Sequence, residues 1–194
     1  MSESWDDYAE EWDHNEDTIS YSEKAFESLI KEVKLEGLNV MDFGCGTGLL
    51  TEKLSKLAAK IVALDSSRKM ISILENKKIP NVSTITETIS DSVIKENALL
   101  HKKFDLIVAS SVFGFLPELE KTLILLKTLL APGGLLTQWD WLSSNDDKGF
   151  GFSKVRISSV YRKTGFDIKS ITTPFTHVSP EGNTPVLMVL VKNS

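Results

Sequence analysis

Residues 40–48 read Val-Met-Asp-Phe-Gly-Cys-Gly-Thr-Gly. The apolar side chains of the first half predict a buried strand, and the three glycines of the second half let the backbone turn tightly and approach a ligand without Cβ clashes. Leu50, Leu54 and Leu57 recur at helical spacing directly afterwards, so a helix is expected to follow the turn. A strand, a glycine turn and a helix N-terminus together predict a small-molecule site at the carboxyl end of a parallel strand.

Two familiar glycine-rich sites do not match this turn. A phosphate-binding loop requires a lysine and a serine or threonine after its last glycine, and no such lysine follows here. A dinucleotide fingerprint requires Gly-x-Gly-x-x-Gly, and Leu49 stands where the third glycine belongs. The carboxylate of Asp42 would repel a pyrophosphate and attract a positively charged ligand.

A second carboxylate, Asp65, ends the next apolar run, Ile61-Val62-Ala63-Leu64. A carboxylate at that position can accept hydrogen bonds from both hydroxyl groups of a ribose. An uncharged ribose together with a cationic head group describes S-adenosylmethionine better than NAD. An NAD-type oxidoreductase is therefore the less favoured alternative.

The chain resembles class I S-adenosylmethionine-dependent methyltransferases. Residues 42–48 resemble the first motif of that family, and residues 65–70 (Asp-Ser-Ser-Arg-Lys-Met) resemble its Asp-x-Ser-x-x-Met segment. Residues 104–116 and 130–134 are similar to the later motifs and occur in the family's order. The resemblance covers nearly the whole chain, so it implies one methyltransferase domain over residues 1–194.

The resemblance also implies a cofactor site. Its predicted members are Trp12, Asp42, Gly44, Cys45, Gly46, Asp65, Ser66, Met70, Thr88, Ile89, Ala109 and Ser110. Many family members carry an acid after the third strand that binds the adenine amino group, whereas the aligned position here is Thr88, next to Ile89. The end of the fourth strand, Ala109-Ser110, is expected to border the methyl group that is transferred. Cys45 is expected to pack rather than react.

The N-terminal seventeen residues hold eight Asp or Glu side chains and no Lys or Arg, yet they contain Trp5, Tyr8 and Trp12. Spacings of three and four place these aromatic rings on one face of a helix. One interpretation is a helix that packs on the core. The other is a lid over the cofactor, because a segment similar to residues 8–13 closes over the methionine end in the family. The two interpretations are compatible.

Strands and helices alternate through the first five predicted strands, which indicates a parallel sheet with helices on both faces. The last two strands resemble the antiparallel hairpin of the family. The expected fold is α/β, a seven-stranded, mostly parallel, doubly wound sheet with an antiparallel last strand. A capping-box pattern at residues 20–23 predicts the start of the first long helix. Residues 143–153 and 174–185 are predicted loops, the first of them mobile.

Composition narrows the possible partners. The net charge of −5 and the acidic N-terminus disfavour nucleic acid and other polyanions. A single cysteine excludes an internal disulfide framework and a multi-cysteine metal site, so no metal is predicted. The sequence lacks an apolar stretch of membrane-spanning length and a signal peptide, so no membrane partner is predicted and a cytoplasmic location is expected.

A sulfonium methyl group is already an electrophile, so a methyltransferase need not carry a dedicated catalytic residue. If the acceptor is an acid, a general base helps, and the candidates are His14, Tyr8, Asp140 and His177. Strand alternation places Trp139 and Trp141 on the face opposite to Asp140, as core or pocket wall. The sequence is most consistent with a small methyl acceptor that is cationic or aromatic. A protein side chain is the alternative acceptor. A catalytically silent, methyltransferase-like binding protein is the second alternative.

Overall fold

The fold is organised by one seven-stranded sheet. The computed structural model describes residues 5–143, 151–179 and 182–194. Its strands are β1 (Asn39–Phe43), β2 (Lys60–Asp65), β3 (Val82–Thr86), β4 (Phe104–Ser110), β5 (Leu130–Trp141), β6 (Phe166–Ser179) and β7 (Gly182–Asn193). Its α-helices are α1 (Ala9–Trp12), α2 (Glu16–Glu32), α3 (Leu49–Leu54), α4 (Arg68–Asn76), α5 (Asp91–Glu96), α6 (Leu119–Leu129) and α7 (Lys154–Lys163). Short 3₁₀ turns occupy Trp5–Asp7, Ala98–Leu100 and Phe113–Phe115.

The strands lie in the order β3-β2-β1-β4-β5-β7-β6. β1 to β5 are parallel, and β7 runs antiparallel between β5 and β6. The predicted fold class, including the antiparallel last strand, is confirmed. Since β1 lies between β2 and β4, the carboxyl ends of these three strands meet at the centre of one sheet edge, where open α/β sheets bind ligands.

Alternate residues of the central strands enter two different core layers. Val40 and Leu106 face a layer that includes residues of α2 and α3, whereas Met41 and Ile107 face a layer built largely from α6 and α7. The sheet is thus covered on both faces, which explains why its central strands are almost continuously apolar. α2 is further tied to β5 by the indole N–H of Trp139, which donates to the Ser28 hydroxyl at 2.9 Å.

Two helix boundaries differ from the predictions. α2 begins at Glu16 because the Asn15 side chain caps it, accepting from the backbone N–H groups of Asp17 (2.9 Å) and Thr18 (3.3 Å). The capping-box prediction at residues 20–23 is therefore wrong. α3 is shorter than the leucine spacing suggested: it ends at Leu54, and Leu57 is exposed.

The C-terminal hairpin is longer than predicted. Most of the predicted loop 174–185 is paired strand, with Phe175 opposite Val186 and His177 opposite Thr184. Of the other predicted loop, residues 144–150 lie outside the described residues. Within the part of the chain that the structure describes, every helix is too short or too polar to cross a membrane.

Candidate functional site

A cavity of about 1280 Å³ lies at the carboxyl ends of β1, β2 and β4. Most of the predicted cofactor residues line it: Trp12, Asp42, Gly44, Cys45, Gly46, Asp65, Ser66, Thr88, Ile89 and Ser110. Met70 and Ala109 do not line it, and the side chains of both residues are buried. The Met70 sulfur lies 3.9 Å from the point that a Cβ on Gly46 would occupy, so Met70 supports the floor of the glycine turn.

The glycine turn requires glycine at two positions in particular. Gly44 has φ +71°, and a Cβ there would lie 2.4 Å from a methyl carbon of Val112. Gly48 has φ +87°, and a Cβ there would lie 2.3 Å from a methyl carbon of Leu74. Any larger residue would therefore combine backbone strain with a clash. The N–H of Gly44 donates to the carbonyl of Leu64 at 2.7 Å, which anchors the turn to β2.

Asp65 links the glycine turn to the start of α4. Its Oδ2 accepts from the N–H of Gly46 and its Oδ1 from the N–H of Ser67, both at 2.8 Å. Burial raises the pKa of this carboxyl, and the two backbone hydrogen bonds oppose that rise. Because a carboxylate oxygen has more than one acceptor direction, each oxygen can still accept from a ligand hydroxyl in the cavity.

Asp42 is a buried carboxyl at the cavity wall, 1% exposed. The hydroxyl of Thr51 donates to its Oδ2 at 2.6 Å. Burial raises the pKa of Asp42 to about 7; the Thr51 hydrogen bond opposes this, and the nearby charge of Asp65 adds to it. A cationic group in the cavity would favour the charged form of Asp42, so this wall is suited to a positively charged ligand.

Cys45 also lines the cavity, but its thiol is buried. Burial raises its pKa well above the usual range, and the charges of Asp42 and Asp65 act in the same direction. The thiol therefore stays protonated near neutral pH, where a thiol is a poor nucleophile. This agrees with the interpretation of Cys45 as a packing residue.

The predicted lid, residues 1–17, falls into three parts. Residues 1–4 lie outside the described residues, and residues 16–17 belong to the first turn of α2. We call residues 5–15 the lid segment. It is a 3₁₀ turn followed by the short helix α1, not one continuous helix, but it still brings Trp5, Tyr8 and Trp12 together at the cavity. The Trp5 ring centroid lies 6.2 Å from that of Tyr8 and 6.1 Å from that of Trp12.

The lid segment is attached at one side of the cavity to α4. The Asp6 carboxylate accepts from the Ser67 hydroxyl at 2.5 Å and from the Lys69 N–H at 3.2 Å. The hydrogen bond from Ser67 is the main reason that the pKa of Asp6 is lowered. Asp13 forms an ion pair with Lys77 at 2.7 Å and accepts a hydrogen bond from Thr47.

At the other side of the cavity, the lid segment contacts the loop after β4. The ring of Trp5 packs edge-on against that of Phe115, with 5.0 Å between centroids. The segment therefore lies across the cavity between α4 and the 3₁₀ turn Phe113–Phe115. Its aromatic face meets the cavity rather than the two large core layers of the sheet.

The four candidate bases occupy different environments. His177 and Tyr8 line the cavity, whereas His14 is exposed and outside the lining. Asp140 is buried and also outside the lining; it accepts from the N–H of Gly114 at 3.2 Å and from the Gln138 side chain at 2.7 Å. Burial raises the pKa of Asp140 to about 8, so it is largely protonated at neutral pH. Of these four side chains, only His177 and Tyr8 can meet a ligand in the cavity.

The two tryptophans of β5 lie on the face opposite to Asp140, as alternation predicted. Trp139 is fully buried in the core layer beneath α2. Trp141 packs at the edge of the same layer and also lines the cavity. Trp139 is therefore a core residue, whereas Trp141 forms part of the pocket wall.

Several lining residues carried no signal in the sequence. Tyr21 and Ser22 belong to α2, whose sequence predicted only a packing helix. Ser111 has φ +57°, a conformation that its residue type does not predict. The chain turns at Ser111, and the Val112 side chain covers Gly44. The charged lining is dominated by acids, namely Asp17, Asp42, Asp65, Glu87, Asp91 and Glu118, against Lys121.

Comparison with known proteins gives a consistent result. Residues 41–136 match a family model described as a methyltransferase domain. A mitochondrial ubiquinone biosynthesis O-methyltransferase of Dictyostelium discoideum is 32% identical over 59% of this chain and 38% of its own length. A malonyl-(acyl-carrier protein) O-methyltransferase of Halalkalibacterium halodurans is 36% identical over 55% of this chain and 40% of its own length. The chain thus aligns with about two fifths of either relative.

The overall fold has counterparts among solved structures. A SAM-dependent methyltransferase from Aquifex aeolicus superposes with a TM-score of 0.70 at 21% identity, covering 91% of this chain and 98% of that one. Because this similarity covers 91% of the chain, it includes elements outside residues 41–136.

Proposed function

Because residues 41–136 belong to the methyltransferase domain family and the chain has the class I methyltransferase fold, we propose that this protein is an S-adenosylmethionine-dependent methyltransferase that acts on a small molecule. The observation that carries the proposal is the pair of carboxyls on the cavity wall, Asp42 and Asp65, on either side of the glycine turn. The names of the two relatives support oxygen as the acceptor atom.

The residues present fit this cofactor. Asp65 has free acceptor directions for the ribose hydroxyls, and Asp42 offers a buried negative charge to the cationic methionine group. Gly46 has no side chain, and a Cβ there would lie 3.7 Å from the Trp12 indole nitrogen, so the Trp12 ring packs closely against the glycine turn at the cavity. Ser66, Thr88 and Ile89 are proposed to surround the adenosine. Ser110 is proposed to border the methyl group that is transferred.

The chain contributes mainly by positioning. S-adenosylmethionine supplies an activated methyl group when bound. The glycine turn and the two carboxyls fix one reactant, while the lid segment and Phe115 exclude water from the cavity. For a hydroxyl acceptor, the side chain proposed to take the proton is His177, because it lines the cavity and has a basic ring nitrogen.

The test of the proposed function is a comparison of ligands by calorimetry. S-adenosylhomocysteine and S-adenosylmethionine are expected to bind, and NAD to bind at least tenfold more weakly, since its pyrophosphate would meet Asp42 and Asp65. NAD binding tighter than both would favour the oxidoreductase alternative. Transfer of a labelled methyl group to a metabolite panel would separate an enzyme from a catalytically silent binding protein.

We further propose that residues 5–15 act as a lid on a single domain. Deleting residues 1–13 keeps the Asn15 cap of α2 but removes the attachments to α4 and the Trp12 ring. The truncated protein is expected to remain folded and to bind S-adenosylhomocysteine at least tenfold more weakly. In the full chain, this segment should exchange amide hydrogens faster without ligand than with it, as expected of an element of low local stability.

Two results would count against the lid. Equal affinity of the truncated and full chains would mean that the segment does not cover the ligand. Failure of the truncated protein to fold would mean that Trp5, Tyr8 and Trp12 serve as core residues. The cytoplasmic location expected from the sequence stays a prediction.

A further inference from the structure

The buried carboxyl group of Asp140 belongs to a chain of three polar side chains inside the core layer that α7 covers. The Tyr161 hydroxyl of α7 donates to the side-chain oxygen of Gln138, and the Gln138 amide donates to Asp140 Oδ2 at 2.7 Å. Gln138 and Asp140 are two residues apart on β5, so they lie on the same face of that strand. Burying a carboxyl group is unfavourable, and residues that depart from apolar packing in this way are expected near functional sites.

The polar chain ends at the backbone of the loop after β4. The N–H of Gly114 donates to Asp140 Oδ1 at 3.2 Å. Gly114 is the central residue of the 3₁₀ turn Phe113–Phe115, whose N-terminus has no side-chain cap. A single 3₁₀ turn is weakly ordered on its own, because it fixes several backbone angles for few hydrogen bonds. Asp140 therefore supplies, from the neighbouring strand, an acceptor that orders this turn.

The 3₁₀ turn connects the glycine turn with the lid segment. Phe113 anchors it in the core, where its side chain is buried. Directly before it, the Val112 side chain covers Gly44. At its other end, Phe115 lines the cavity and packs against Trp5 of the lid segment. A displacement of the 3₁₀ turn would therefore move the surface on which the lid segment rests.

Asp140 holds the 3₁₀ turn most firmly when it is ionised, because a hydrogen bond to a charged acceptor is about twice as strong as one to a neutral acceptor. Burial raises the pKa of Asp140 to about 8, and the hydrogen bonds from Gly114 and Gln138 oppose that rise. The charge of Asp140 also acts on Tyr21 of α2 and Tyr161 of α7. Burial raises the pKa of both tyrosines well above the usual range, so both hydroxyl groups stay neutral.

We propose that Asp140 is a positioning residue for methyl transfer: by accepting from the N–H of Gly114, it fixes the 3₁₀ turn on which the lid segment rests when the cofactor is bound. A turn that is already in place has less conformational freedom to lose when the lid closes, so the ligand binds more tightly. This inference rests on the proposed function, because it concerns the lid over the proposed cofactor site.

The first experiment compares the wild-type protein with Asp140→Asn at pH 6 and pH 9, on either side of the Asp140 pKa of about 8. Asparagine keeps an acceptor oxygen for Gly114 but stays neutral. By calorimetry, S-adenosylhomocysteine is expected to bind the two proteins within twofold at pH 6. At pH 9 it should bind the variant roughly fivefold more weakly, which is the difference expected between a charged and a neutral acceptor. Asp42 and Asp65 are present in both proteins, so the comparison cancels their titration.

Melting temperatures separate a positioning role from a structural one. The pKa of Asp140 is raised in the folded protein from its ordinary value of 3.8, so the stability that this group contributes is lost as the pH rises through the folded value of about 8. Asp140→Asn is therefore expected to raise the melting temperature relative to the wild-type protein, and by more at pH 9 than at pH 6. A variant that binds more weakly and also melts earlier at pH 9 would show a structural role and overturn the proposal.

The second experiment tests whether Asp140 acts through the lid. Asp140→Ala removes the acceptor and is expected to weaken S-adenosylhomocysteine binding at least tenfold. In a Trp5→Ala background, where the lid no longer packs on Phe115, the same replacement should weaken binding less than threefold, because the two residues are coupled. Equal losses in both backgrounds would overturn the proposal. Should Asp140→Ala fail to fold, the Asp140→Asn comparison decides the question.

The matched control is Tyr161→Phe, which removes a hydroxyl group at the far end of the same polar chain. It should lower the melting temperature and leave the affinity for S-adenosylhomocysteine within twofold. If S-adenosylhomocysteine binds the wild-type protein but binds Asp140→Asn equally at pH 9, this inference is wrong and the methyltransferase proposal stands. If S-adenosylhomocysteine does not bind the wild-type protein, the proposed function fails and this inference fails with it.

Discussion

Replacing Asp65 by alanine is expected to weaken the binding of S-adenosylhomocysteine by about 2–4 kcal/mol, or roughly 30-fold to 700-fold. The proposed ribose would lose two hydrogen bonds to a charged group, each contributing about 1.5–3 kcal/mol with incomplete additivity. The same carboxylate also holds the N–H groups of Gly46 and Ser67, so part of the loss would come from a less ordered glycine turn. Calorimetric titration of the folded variant measures the effect.

Two further variants sharpen this prediction. Asp65→Asn keeps the shape and one acceptor oxygen but removes the charge, so its affinity is expected to fall between those of the wild-type protein and Asp65→Ala. Asp167→Ala is the matched control, because Asp167 is exposed on β6, outside the cavity lining, and forms an ion pair with Lys169 at 3.2 Å. An unchanged dissociation constant in folded Asp65→Ala protein would refute the ribose role.

Replacing His177 by glutamine is expected to lower kcat about 100-fold, which is the lower range for the loss of a general base. Glutamine retains a polar side chain of similar reach but cannot take up a proton near neutral pH. The affinity for S-adenosylhomocysteine should stay within twofold, since His177 lies on the edge strand β6, far from β1 and the glycine turn in the sheet order. The measurement is initial-rate kinetics with the hydroxyl acceptor that gives the fastest methyl transfer in the metabolite panel.

The control for this experiment is His101→Gln. His101 is exposed, its ring nitrogen contacts the Lys95 carbonyl at 2.9 Å, and it lies outside the cavity lining. The kcat of the His101→Gln variant should equal that of the wild-type protein. A His177→Gln enzyme with unaltered kcat would show that the acceptor loses its proton to another group, and Tyr8, the other candidate base on the cavity wall, would be tested next.

The glycine-rich end of the cavity could be predicted from the sequence because few residue types can adopt the backbone conformations found there. Gly44 and Gly48 adopt positive φ angles and have no room for a Cβ, so glycine is a physical requirement there. Asp65 ends a clearly apolar strand, which fixes its place at the sheet edge. Where a conformation demands one residue type, the residue type reports the conformation.

The part of the cavity wall that α2 contributes could not be predicted from the sequence in the same way. Tyr21 and Ser22 come from a helix whose pattern describes packing alone, and only the tertiary structure shows that they lie on the cavity wall. The start of that helix was also misplaced, because Asn15 and Ser20 are both good caps and the sequence does not rank them. Ser111 gave no sign of its positive φ, since most residues with that geometry are glycine or asparagine.

The C-terminal hairpin contains two prolines within its paired strands. The predicted loop around His177 contains Pro174 and Pro185, yet both prolines lie within paired strands. Pro174 falls at a register shift of β6, between Thr172 and Phe175, and β6 is the edge strand, so the missing N–H disrupts no regular pairing there. The extension of β6 is what carries His177 to the cavity.

The attachment of the lid segment has a thermodynamic consequence. Ser67 donates its hydroxyl to Asp6 of the lid segment and its backbone N–H to Asp65, so one residue contacts both the lid and the proposed ribose-binding carboxylate. For the proposed lid, closing the segment and filling the site are therefore expected to be linked equilibria. Linkage is reciprocal, so the factor by which the closed lid raises ligand affinity equals the factor by which the ligand raises the closed population.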